Sequence, residues 1–239
     1  VAALRERAES EQFHAQLADS VTTRLPERVP VQVPQETAPL EETAPQPKAE
    51  PPIRVDFAAL TEENADVTAW LYCPDTPIHY PVVQAADNEY YLRRLMDGTW
   101  NAAGTLFLDY RCDADFLDWH SVIYGHNLQD SSMFGTLPQY ADQTYYEQHP
   151  VIYLLTPEEN YELLPFAGFV TKGKDAFFRL PIPGEGKAAL AEDCAARSDF
   201  KAAALPQAED RLVTLSTCSY AYRDARYVLV CICRSMEEQ

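Results

Sequence analysis

Residues 214–218, Thr214-Leu215-Ser216-Thr217-Cys218, continue a strand-like alternation that starts at Val213, and the run from Tyr227 to Cys233 is densely β-branched, aromatic and apolar. Between them Ser219 to Ala225 is short and polar, which suits a connecting loop. If the two strands pair antiparallel, the end of the first and the start of the second fall at one sheet edge. That pairing sets Cys218 beside Arg226, although eight positions separate them. A guanidinium next to a thiol stabilises the thiolate, and the thiolate is the nucleophilic form. The same two residues also read as a buried strand-end cysteine and a surface arginine. A histidine separates the two readings.

That histidine is His126. The strand expected at Ser121 to Tyr124 runs into Gly125-His126-Asn127, where the glycine is expected to let the backbone turn and leave the imidazole at a strand end. A strand-end Cys, a strand-end His and an Arg are the parts of a Cys/His acyl-transfer site. His79, His120 and His149 lack this setting, and His14 falls outside the expected fold.

Composition narrows the function classes. The 239-residue chain carries a formal charge of -18, which argues against nucleic acid as a partner and against docking on an anionic membrane through basic patches. No run of about eighteen or more apolar residues is present to span a bilayer. The first residue is Val1 rather than Met, so an upstream signal or anchor is expected to have been removed. The cysteines Cys73, Cys112, Cys194, Cys218, Cys231 and Cys233 show no C-x-x-C spacing and no companion His pair, so a structural zinc site is not expected. Cys231 and Cys233, two apart on one strand, read as core.

From the start, residues 1–23 read as an exposed or frayed amphipathic helix, the remnant of a stalk, with Leu4, Ala8, Phe13 and Leu17 at loosely helical spacing. Residues 24–52 hold eight prolines and neither glycine nor aromatic, which marks an extended, semi-rigid linker. At about 3.1 Å per residue such a linker reaches ~90 Å. The folded region, 53–239, opens with a short helix or turn at Asp56 to Asn64. Strands are expected at Thr68–Tyr72, Ile78–Val83, Gly104–Asp109, Ser121–Tyr124, Val151–Leu155 and Tyr161–Thr171. Asp87 is a candidate N-cap for a helix, Ser131 to Tyr146 reads as a helix packing Met133, Phe134, Leu137, Tyr140 and Tyr145 inward, and Lys187 to about Ala204 as an Ala-rich helix. The pattern is mainly β, a barrel or sandwich carrying helical insertions.

In this order and spacing, DFAALTEENADVTAWL (56–71), YPVVQAADNEYYL (80–92), AGTLFLDYR (103–111), VIYGHN (122–127), SSMFGTLPQY (131–140), TLSTC (214–218) and DARYVLV (224–230) resemble the class B sortases of Gram-positive bacteria. The resemblance covers Ile53 to Arg234. It implies a closed eight-stranded β-barrel with N-terminal helices and an added helix before the Cys strand. By the same resemblance Cys218 matches the nucleophile, His126 the catalytic histidine and Arg226 the catalytic arginine. Arg223 competes by distance but sits mid-loop, and Asn88, Leu92 and Ser216 match positions lining the substrate groove. The implied enzyme is a cysteine transpeptidase at the extracellular face of the plasma membrane, held by an N-terminal anchor and needing no metal or cofactor. It would cleave a sorting-signal peptide through a thioacyl intermediate and pass the product to an amine, either a cell-wall peptide amine of the lipid-linked precursor or a pilin lysine. A peptidase that mainly hydrolyses and a degenerate, non-catalytic surface-binding module are the competing expectations.

Overall fold

The computed structural model describes residues 2–26, 50–175, 178, 180, 186–218 and 224–237, the side chains of Ala2, Ala3 and Cys218 excepted. In chain order the elements are α1 (Ala2–Val21), β1 (Thr22–Arg24), β2 (Ile53–Val55), α2 (Phe57–Glu63), β3 (Val67–Tyr72), β4 (His79–Val83), β5 (Leu106–Leu108), β6 (His120–Gly125), α3 (Gln143–Gln148), β7 (Ile152–Leu155), β8 (Asn160–Lys172), α4 (Lys187–Arg197), β9 (Arg211–Cys218) and β10 (Ala225–Ser235). Eight of the strands close a barrel in the order β10-β8-β7-β3-β4-β5-β6-β9, the architecture expected from the resemblance. The contacts β4–β5 and β6–β9 are parallel and the others antiparallel.

The C-terminal strand shows why its sequence is apolar without alternation. Tyr227, Leu229, Cys231 and Cys233 face the barrel interior with Leu71, Ile123 and Leu215. Val228, Val230 and Ile232 face outward into a second cluster with Phe166, Phe169 and Cys194 of α4. Both faces are buried, so period two is lost.

A third cluster joins Leu17, Ala18 and Val21 of α1 to Leu60 of α2 and to Trp70, Val83 and Phe107 on the barrel's outer surface. The first helix, expected to be exposed, is therefore docked, and His14, expected outside the fold, is 4% exposed. Its Nδ1–H donates to Ser10 O at 2.8 Å, and its ring meets Tyr80 edge-to-face at 5.1 Å. Residues 27–49 of the proline-rich stretch lie outside the described residues, but its ends are paired: Arg24 sits opposite Ile53, and Leu25 N donates to Pro52 O at 2.8 Å. The stretch does not separate α1 from the barrel.

Three helices differ from expectation for local reasons. Asp87 accepts from Glu89 N and Tyr90 N, a capping geometry, yet only a 3₁₀ turn follows at Tyr91–Arg93. The helix expected over 131–146 is a loop, a 3₁₀ turn (Leu137–Ala141) and α3. Ser131 and Met133 adopt left-handed φ of 68° and 53°, Pro138 lacks an N–H, and Asp142 starts a new helix by accepting from Thr144 N and Tyr145 N. Met133, Phe134, Leu137 and Tyr140 are buried all the same. Helix α4 stops at Arg197, well before Ala204, because Ser198 turns extended and bonds Gly168 N of β8 and Phe200 O.

Candidate active site

Strand register builds the site. In the parallel pair β6–β9, Gly125 lies opposite Thr217, so His126 and Cys218 are the next positions along two adjacent strands that end at the same rim. On the other side of β9, antiparallel β10 begins there, with Arg226 directly opposite Cys218. Neighbouring strands lie about 4.8 Å apart. His126, Cys218 and Arg226 thus occupy one row across three strands, although His126 lies far from the other two in sequence.

Beside this row opens a cleft of about 230 Å³ whose walls include Asn88, Leu92, His126, Ser216, Thr217 and Arg226. All three residues expected to line the groove, Asn88, Leu92 and Ser216, share one cavity with His126 and Arg226. The Oγ of Ser216 and the Oγ1 of Thr217 are buried and have no hydrogen-bond partner among the described residues. Arg223 lies outside the described residues.

His126 is held from across the cleft: its Nε2 lies 2.7 Å from Leu92 O. A carbonyl only accepts, so Nε2 carries the proton and Nδ1 is the nitrogen that gains and loses one. Burial lowers the His126 pKa and nearby Arg93 lowers it further, while the Leu92 bond acts in the opposite direction. Arg226 donates from Nη1 to Ala225 O at 3.1 Å, and its Nη2 lies 3.4 Å from Asp224 Oδ1.

Gly125 differs from its expected role. Its φ is not in the left-handed region, so no special turn needs it. A Cβ there would meet Leu106 Cδ2 at 2.5 Å and Phe134 Cδ2 at 2.7 Å, so the residue is small because the barrel wall is packed against it. Gly104, at φ +64°, serves the site directly: a Cβ would stand 2.7 Å from Leu92 O, the oxygen that holds His126.

Sequence reading missed what lies beneath the cleft. Asp109, just past β5, is fully buried and accepts from Arg111, Tyr124 and Asn88, two of which line the cavity. Only the spacing of Asp109 and Arg111 in the stretch 103–111 hinted at an ion pair. Among the described residues no group of three His, Cys, Asp or Glu side chains is placed to hold a metal ion.

No protein-family model matches the chain. It is 33% identical over 167 residues to sortase B of Listeria monocytogenes, covering 70% of this chain and 68% of that protein. Sortase B of Staphylococcus aureus is 27% identical over 183 residues, covering 76% and 75%. Among solved structures, sortase B from B. anthracis matches with TM-score 0.77 at 27% identity, over 97% of this chain and 99% of that one. A Staphylococcus aureus sortase B–substrate complex matches with TM-score 0.71 at 28% identity, over 75% and 84%. With a closed eight-stranded barrel and relatives of this kind, the chain belongs to the class B sortases, the cysteine transpeptidases that join a sorting-signal peptide to an amine.

Proposed function

We propose that Cys218, His126 and Arg226 carry this transpeptidation through a thioacyl enzyme. The observation that supports it most is the strand register that puts the three in one row at the mouth of a cleft. The Cys218 thiolate attacks the scissile carbonyl of the bound signal, and a sulfur–carbon bond forms as the carbon–nitrogen bond breaks. Arg226 donates to the oxyanion as charge develops on it. The His126 imidazolium gives its Nδ1 proton to the leaving amine, and the neutral ring then takes a proton from the incoming amine as that amine attacks the thioester. Cys218 leaves as the thiolate, ready for another turn. Asn88, Leu92 and Ser216 contact the signal peptide.

The second substrate is proposed to be the terminal amine of a cell-wall peptide on a lipid-linked precursor. A solved sortase B in complex with triglycine supports an unhindered peptide amine in that place. We place the reaction at the outer face of the plasma membrane; no described helix is long and apolar enough to cross a membrane. The test is acceptor competition: acyl enzyme is supplied with triglycine, an ε-amine lysine peptide and water together, and products are weighed. Predominant triglycine product supports cell-wall attachment, predominant lysine product replaces it by subunit polymerisation, and hydrolysis alone overturns the transpeptidase assignment for these acceptors.

A further inference from the structure

We propose that Asp109 is the positioning residue for the peptide cleft: it fixes the Asn88 side chain so that an amide N–H, and not the amide oxygen, is offered to the substrate. The inference rests on the reading of this cleft as the peptide site. Asp109 lies one residue beyond β5 with its side chain fully out of solvent. Its Oδ1 accepts from the backbone N of Arg111 at 3.0 Å and from Arg111 Nε at 2.8 Å. Its Oδ2 accepts from Arg111 Nη2 at 2.7 Å, Tyr124 OH at 2.9 Å and Asn88 Nδ2 at 3.0 Å. Five donors fill the roughly four lone-pair sites of a carboxylate. Burial pushes this carboxyl up, but the hydrogen bonds from Arg111, Tyr124 and Asn88 outweigh it and hold the group below the ordinary carboxylate range. An ionised carboxylate accepts and never donates, so Asn88 must turn its nitrogen toward Asp109.

A second contact fixes the same orientation from the other end. Asn88 Oδ1 accepts from Tyr110 N at 3.0 Å, and only an oxygen can take that bond. The remaining Nδ2–H has no partner among the described residues, and Asn88 is part of the cleft wall. An extended peptide presents carbonyl oxygens, so the free N–H is matched to one of them. The same carboxylate anchors Tyr124, another wall residue, whose ring packs on Phe107 at 5.3 Å. Arg111 supplies the countercharge that keeps this buried anion stable. Asp109 thereby sets the polarity of one wall without touching the reacting atoms.

The experiment compares wild type, Asp109→Asn, Asn88→Ala and the double variant in single-turnover acylation by a sorting-signal peptide. An Asn at 109 can turn its own NH₂ toward Asn88 and release the amide. The expected result is a half-saturating peptide concentration raised about tenfold in Asp109→Asn, the loss of about one hydrogen bond. The limiting acylation rate and the rate of Cys218 alkylation by iodoacetamide stay at wild-type values. In the Asn88→Ala background the Asp109 change adds nothing further. A wild-type half-saturation in Asp109→Asn, or an equal loss in both backgrounds, overturns the inference. Should Asp109→Asn fail to fold, asparagine-¹⁵N-labelled wild type decides: one Asn88 Nδ2 proton is expected to be protected from exchange and the other to shift on adding peptide. Two protons exchanging equally fast overturn it. Wild type that is never acylated defeats the functional reading itself, a result distinct from a defect confined to the variants.

Discussion

At the residue scale, two glycines shape the surroundings of His126. The imidazole hangs from Leu92 O, and Leu92 O is crowded by Gly104, while Gly125 lets Leu106 and Phe134 close on the strand that delivers His126. Leu106 and Phe134 are both fully buried and have nowhere to move. Gly125→Ala is therefore expected to destabilise the protein by about 1–3 kcal/mol through overpacking, with a matching fall in the urea midpoint and a larger fall in acylation rate. An unchanged midpoint would contradict the packing account. The row His126, Cys218 and Arg226 was legible because each residue ends or opens a strand whose alternation is plain. Asp109 was not legible, because a lone acid after an apolar triplet looks like any strand terminus until its five donors arrive from three places in the chain.

At the element scale, the strands were readable wherever one or both faces are buried, and β9 and β10 were readable even to their register. The helices were less so. Helix α1 binds the barrel with only Leu17, Ala18 and Val21 among its buried apolar residues, too few to distinguish a docked helix from a frayed one by periodicity. What fixes it lies elsewhere: β1 pairs with β2, and Asn101 Nδ2 donates to Glu6 O at 2.8 Å across 95 residues. Docking makes a direct prediction. Leu17→Ala is expected to cost about 2–4 kcal/mol in urea unfolding, whereas a frayed helix would lose almost nothing. The helix expected over 131–146 failed for the opposite reason, since four of its five apolar residues are buried but two left-handed residues and Pro138 break the helical backbone that would carry them.

At the scale of the whole molecule, two buried histidines tie stability to pH. Burial lowers the pKa of His14, on the barrel-facing side of α1, and of His120, in β6, each to about 4. Both are neutral in the folded protein near pH 7, and the unfolded chain binds their protons first. A depressed folded pKa means that the stabilisation is complete above about pH 6.5 and is lost as pH falls from there toward about 4. At 1.36 kcal/mol per pKa unit each site contributes up to about 3 kcal/mol of that loss. Urea midpoints measured across this window should fall steadily, and His14→Gln should flatten part of the slope; a midpoint independent of pH between 6.5 and 4 would contradict the burial of both rings. The net charge of -18 adds self-repulsion at higher pH but selects no partner. The barrel's parallel β6–β9 contact brings distant sequence into one row, and the proposed chemistry has this row form an acyl enzyme at Cys218. Intact-mass spectrometry after mixing the protein with sorting-signal peptides measures it most directly. The expected result is a thioacyl adduct on the wild type that is absent in Cys218→Ala and discharged by an amine; an adduct that survives Cys218→Ala, or none with any peptide while the fold is intact, would rule out the acyl enzyme at Cys218.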